Sequence, residues 1–240
     1  MATATLAFTA FAACSASDAT SGRAGNLGNG IFNYQCQSSS DPTCAAGSST
    51  LPGCDGTGYS YSTSSSTCFP SAVALGGRFR IQYKANSSVG NVGNPSITPV
   101  STDYLSNSGD GIFQALKPGY AGVVVRSTIV SDVIDYTLIR ITPIKTIKIQ
   151  DSEAAGAPPS ISIPKGDKPS FKILALGSAQ ERLAGAVDYT WTTSNAAIVK
   201  LGQGSPSASM AIEALAEGTA TLTATTGDTV KATIELTVHQ

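Results

Sequence analysis

Histidine is nearly absent from this chain of 240 residues. The one histidine, His239, stands next to the C-terminus. A Ser-His-Asp or Cys-His catalytic centre, or a histidine-ligated metal site, would have to be built on it. Charge is scarce too: Asp, Glu, Lys and Arg make up 13% of residues and the net charge is -1. Typical soluble domains carry roughly 25%. Arg23 is the only basic residue from position 1 to 77. With no basic stripe to displace counterions, nucleic acid is excluded as a partner, and so is attachment to an anionic membrane surface through charge. Phosphate-cradling glycine motifs, HExxH and GxSxG are all missing. No cofactor is implied and no enzyme is expected. Asp55, Asp103, Asp110, Asp167 and Asp228 stand in turn contexts, and neither Cys54–Gly58 nor Asn107–Gly111 has the alternating acids of a calcium loop. No metal site is expected.

What is present begins with an uncharged N-terminus, MATATLAFTAFAA. Its apolar run, Leu6 to Ala13, is too short for a membrane span of about 20 residues. Small residues lead into Cys14, which Ser15 follows. The segment resembles the end of a bacterial lipoprotein signal, in which cleavage precedes a cysteine that receives lipid. It departs from that pattern at Phe11, where Leu is usual, and in lacking a positive n-region. The resemblance implies a signal-like segment over 1–13, lipidation at Cys14 and a membrane held through that anchor. Simple secretion and an uncleaved apolar tail are the alternatives. Residues 14–30 are small and polar and read as a flexible tether.

The other cysteines, Cys36, Cys44, Cys54 and Cys68, fall within 33 residues. Setting Cys14 aside leaves an even number, enough for two disulfides in an oxidising compartment. Zinc is the rival, but no pair has the close C-x2-4-C spacing and no histidine is near. The stretch 37–70 is rich in Ser, Gly and Thr and poor in large apolar side chains. It needs bridges rather than a core to order it. If the strands flanking it are antiparallel neighbours, the pairing is nested: Cys36 with Cys68 and Cys44 with Cys54.

Beyond Cys68, alternating segments of strand length appear between turn signals: FRIQY at 79–83, IKTIKI at 144–149 and ATLTA at 220–224. The most helix-like piece, Ala179 to Val187, is short and broken by Gly185. An internal repeat is present. The segment from Phe113 to Val123 (FQALKPGYAGV) aligns without a gap with that from Ile212 to Leu222 (IEALAEGTATL), 99 residues on. A period near 100 residues is the size of one immunoglobulin-like sandwich. The fold class expected is all-β, two tandem immunoglobulin-like β-sandwiches over 31–142 and 143–240, the first with a disulfide-stapled cysteine-rich insertion.

The C-terminal copy resembles the bacterial immunoglobulin-like domain of group 2. The resemblance rests on Thr146–Ile149, Pro164–Gly166 with Phe171–Ala175, Tyr189–Asn195 around Trp191, and Ile212–Ala224. In the first copy Pro99–Ser101 stands near the place of Trp191. Trp191 is expected in the core. Gly119 and Gly218 are expected at positive φ, with Leu116 and Leu215 plugging one end of each sandwich. The resemblance implies a non-enzymatic protein of the bacterial cell surface or envelope, in adhesion or as a scaffold. Its partners would be protein or polysaccharide. Tyr59 and Tyr61, set among Ser and Gly, are the candidate ligand-binding residues of a recognition loop. A carbohydrate-binding role through them, and a spacer role in an envelope assembly, are the alternatives.

Overall fold

The computed structural model describes residues 22–38, 40–43, 69–109, 111–129, 131–151, 158–202, 207–227 and 229–240. The described residues form strands and no α-helix. In the N-terminal half these are β1 (Arg23–Ala24), β2 (Gly30–Cys36), β3 (Val73–Ala74), β4 (Arg78–Ala85), β5 (Ser96–Pro99), β6 (Leu105–Asn107), β7 (Ile112–Ala115), β8 (Gly119–Arg126) and β9 (Val133–Thr142). The C-terminal half has β10 (Thr146–Asp151), β11 (Ser160–Pro164), β12 (Ser170–Leu176), β13 (Tyr189–Thr193), β14 (Val199–Leu201), β15 (Ser209–Ala214), β16 (Gly218–Thr226) and β17 (Val230–His239).

The strand order repeats. One pair of sheets runs β1-β2-β4-β7-β6 and β3-β9-β8-β5; the other runs β10-β12-β15-β14 and β11-β17-β16-β13. Apart from the short edge strand β1, the two plans are superimposable strand for strand. In each half one strand pairs in parallel with the last strand: β3 with β9, and β11 with β17. Period-2 alternation sets which side chains go inward. Phe79 and Ile81 of β4 are buried, as are Phe171 and Ile173 of β12. Each pair of sheets encloses its own buried apolar cluster.

The repeat extends to backbone detail. Gly119 has φ 130° and Gly218 has φ 134°, values that cost glycine little and other residues much. Leu116 and Leu215, expected as end plugs, are instead 47% and 40% exposed. Their N–H groups donate to the carbonyls of Tyr104 and Ile198, each at 2.8 Å, which leaves the side chains turned outward. The space beneath the two glycines is filled by Tyr104 and Ile198, the nearest side chains to where a Cβ would stand.

Residues 22–30, expected within a flexible tether, are pinned to the fold. Arg23–Ala24 pairs with Phe32 and Ile31, and the Asn26 N–H donates to the Tyr136 carbonyl at 2.9 Å. The anchor is Asp135, fully buried in β9. Its carboxylate accepts the N–H groups of Leu27 and Asn29 at 2.9 Å and of Tyr136 at 2.8 Å. The Tyr83 hydroxyl donates to it at 3.3 Å. A register shift between Val125 and Arg126 accompanies this site and lets Ile134 and Asp135 both face inward.

Ala179 to Val187 is not a helix. Three residues separate β9 from β10, but the halves are joined by more than that link. The Ala74 N–H donates to the Ala184 carbonyl (2.8 Å) and the Ala184 N–H to the Ala72 carbonyl (3.1 Å). Arg78 and Ala186 exchange both backbone bonds at 2.9 and 2.8 Å. Ala72 and Ala74 belong to the C-terminal cluster, and Ala184 belongs to the N-terminal one. Small side chains allow this approach. A Cβ on Gly185, whose φ is 102°, would lie 3.2 Å from the Gly77 Cα. Gly185→Ala is therefore expected to destabilise the chain by about 1–3 kcal/mol, read as a lower denaturation midpoint; an unchanged midpoint would contradict this packing.

Candidate functional site

Of the residues singled out from sequence, Cys14, Cys44, Cys54, Cys68, Tyr59 and Tyr61 lie outside the described residues, as does the side chain of Cys36, whose backbone ends β2. The expected disulfides and lipid site belong to those residues. The structure does describe both ends of the cysteine-rich stretch.

At its start stands Asp41, with no exposure to solvent. The Tyr34 hydroxyl donates to one carboxylate oxygen; the Thr43 N–H (2.9 Å) and hydroxyl (2.7 Å) donate to the other. The Gly185 N–H donates to the same carboxylate from the other half of the chain. Burial pushes the Asp41 carboxyl above its usual value of 3.8, against the pull of these hydrogen bonds. Tyr189 lies beside it, and its hydroxyl is pushed upward by burial first and by the charge of Asp41 second. The site thus joins β2, the start of the cysteine-rich stretch and the Ala184–Ala186 segment.

At the other end, Phe69 is buried, and the Arg23 guanidinium lies over its ring at 4.5 Å. Arg23 also donates to the Leu138 carbonyl at 2.9 Å and, at 3.5 Å, to that of Pro70. Both ends of the stretch are therefore fastened to the core. Neither clamp was visible from sequence, since one Asp in a Ser/Thr-rich run carries no periodic signal.

A second feature is the outer face of β5, β8 and β9. Tyr120 is 68% exposed, Val100 66%, Leu138 46% and Tyr136 36%. Tyr120 faces Arg140, Gly122 faces Leu138 and Val124 faces Tyr136 across the ladder. The corresponding face of β16 and β17 carries Thr219, Thr221, Thr223 and Thr225 opposite Thr237, Glu235, Thr233 and Lys231. The same position in the fold is thus apolar in one half and polar in the other.

His239 is exposed at the end of β17, with Nδ1 2.7 Å from the Gln240 carbonyl oxygen. Among the described residues no cluster of three His, Cys, Asp or Glu side chains is placed to hold a metal ion, and no helix is long and apolar enough to cross a membrane. Trp191 is buried, its indole N–H donating to the Ser207 carbonyl at 2.9 Å.

No protein-family profile and no curated protein matches the sequence. Solved structures with a similar chain path include domains 4 and 5 of the S-layer protein SbsC, at 17% identity and a TM-score of 0.33 over 79% of this chain and 91% of that one. The Yersinia pseudotuberculosis adhesin InvE is similar at 12% identity and 0.33, over 71% and 57%. The Escherichia coli adhesin FdeC is similar at 11% and 0.30, over 69% and 60%. Of a longer SbsC fragment the chain spans 26%. Likenesses of this degree carry no activity, ligand or partner over to this chain.

Because its folded value is raised, Asp41 contributes stability that is fully present below pH 3.8 and is lost as pH rises through the folded value. Asp41→Asn removes the titrating group. Its denaturation midpoint is expected to fall less than that of the wild type between about pH 4 and about pH 7. Equal falls in both proteins would contradict the assignment.

Proposed function

We propose that the chain is a non-enzymatic module of a bacterial cell surface or envelope, made of two tandem immunoglobulin-like domains over 31–142 and 143–240. In this reading Cys14 carries lipid, and Cys36, Cys44, Cys54 and Cys68 form two disulfides within the insertion 37–70. The insertion is a presented loop, and adhesion or scaffolding is the role. The single observation that supports it most is the fastening of both ends of that stretch, Asp41 at one and Phe69 at the other, to buried core. A loop held in this way is displayed on a rigid base, as recognition loops are. The face bearing Tyr120, Leu138 and Val100 adds an apolar surface of the kind that protein partners cover. The carbohydrate reading assigns recognition to Tyr59 and Tyr61 instead.

Intact mass of the protein taken from its own membrane fraction tests the anchor and the bridges together. The expected result is loss of 1–13, added acyl mass at Cys14 and a deficit of four protons that reductant restores. An unmodified mass with five free thiols would overturn both. Cells displaying the protein test the contact surface: Tyr120→Ala with Leu138→Ala is expected to cut adhesion to a protein-coated surface about tenfold or more. Tyr59→Ala with Tyr61→Ala abolishing polysaccharide pull-down, with protein adhesion intact, would favour the carbohydrate reading.

A further inference from the structure

The two halves act as internal controls for each other, and they differ sharply at one place in the core. In the C-terminal half Trp191 pairs across the ladder with Ala224, and Met210 pairs with Phe171. All three large side chains are buried. In the N-terminal half, Val125 is the counterpart of Ala224 by the 99-residue repeat, and it pairs with Ile97. Gly111 is the counterpart of Met210, and its carbonyl accepts the Ile81 N–H at 2.9 Å. Ile97 and Ile81 therefore occupy the places of Trp191 and Phe171, and Gly111, a turn residue with φ 71°, stands where the strand residue Met210 does. An indole and a phenyl ring are replaced by two isoleucines.

Beside Ile97 the surface is open. Ile81, Ile97 and Gly111 line a groove of about 580 Å³, with Tyr83, Pro95 and Asn107 at its sides. That is the range of ligand-binding clefts. One wall is an unpaired sheet edge. Pairing between β4 and β7 runs from Arg78 to Arg80, and the Gly111 carbonyl meets Ile81. Among the described residues no strand continues along Gln82–Ala85 on that side. The neighbouring wall, β5, is the last strand of its sheet.

We propose that this groove binds a tryptophan side chain carried on an extended segment of a partner polypeptide. The indole takes the place that Trp191 fills in the other half. The segment's backbone pairs with the free edge of β4, as strands added to sheet edges do. The fold itself states the fit, because the same strand frame holds an indole at this position 94 residues later. The proposal does not depend on the surface role proposed above.

The test uses the full chain and the pentapeptide Tyr-Thr-Trp-Thr-Thr, the sequence of β13, with its Trp→Ala form and free indole as comparisons. Amide shifts on titration are expected at Ile81, Tyr83 and Ile97, with the Trp→Ala peptide at least about tenfold weaker. Ile97→Trp fills the groove from within. It is expected to fold, to melt higher than the wild type and to lose peptide binding. Ile97→Phe, a milder filling, is expected to weaken binding about fivefold or more and serves where the larger ring is not accommodated. The proposal is overturned if both peptides bind alike, if neither binds, or if the filling variants bind as the wild type does. Free indole binding as tightly as the peptide would overturn the polypeptide part and assign the groove to a small aromatic ligand.

Discussion

The backbone ladder between Ala72–Arg78 and Ala184–Ala186 is the constraint on which the rest of the structure depends. Two halves in series need only a linker, and three residues between β9 and β10 supply one. Here a loop of the second half enters the backbone hydrogen bonding of the first. Alanines from each half are counted into the other's buried cluster. Hydrogen bonds shielded from water by apolar neighbours are costly to break. Relative motion of the halves would therefore break core bonds as well as surface contacts. Only small residues allow this, and the chain supplies Ala-Val-Ala-Leu-Gly-Gly on one side and Ala-Gly-Ala on the other.

Two buried carboxylates complete the frame. Asp135 holds the chain at 25–29 through peptide N–H groups, and Asp41 joins β2, the head of the cysteine-rich stretch and Gly185. Desolvating a carboxylate is expensive, and each site answers it with three or more donors. In return each carboxylate orders chain that has no periodic apolar pattern to order it. The base of the cysteine-rich stretch and the ordered N-terminal segment are where these costs are met. Arg140 and Glu181, 2.9 Å apart, tie the same two halves a second time beside the ladder.

Much of the fold was legible. FRIQY became part of β4, IKTIKI led into β10, and ATLTA lies within β16. The ungapped repeat marks the same turn in both halves, down to the φ values of Gly119 and Gly218. What escaped has physical reasons. Trp191 has its counterpart at Ile97, just before Pro99–Ser101, and the 99-residue offset fails there because the N-terminal half has five fewer residues between this strand and the one it pairs with. Asp135 was hidden in a β-branched run that reads as ordinary strand. Ala179–Val187 has helical composition, but its alanines serve close backbone approach between halves. The leucines expected as plugs face outward, because their N–H groups are used at the turn and other side chains fill the space. Of the candidate site only its supports are described, and these are long-range contacts that a linear pattern does not carry.

Amide hydrogen exchange at Ala74, Arg78, Ala184 and Ala186 in the native protein tests the central claim most directly. These four N–H groups make the backbone bonds of that ladder. If the ladder is core, their exchange requires unfolding on the scale of the strands on either side. They are then as protected as the amides of β8 and β16. Exchange at the rate of an exposed loop, with β8 and β16 still protected, would show two separately folded halves that merely touch and would contradict the account.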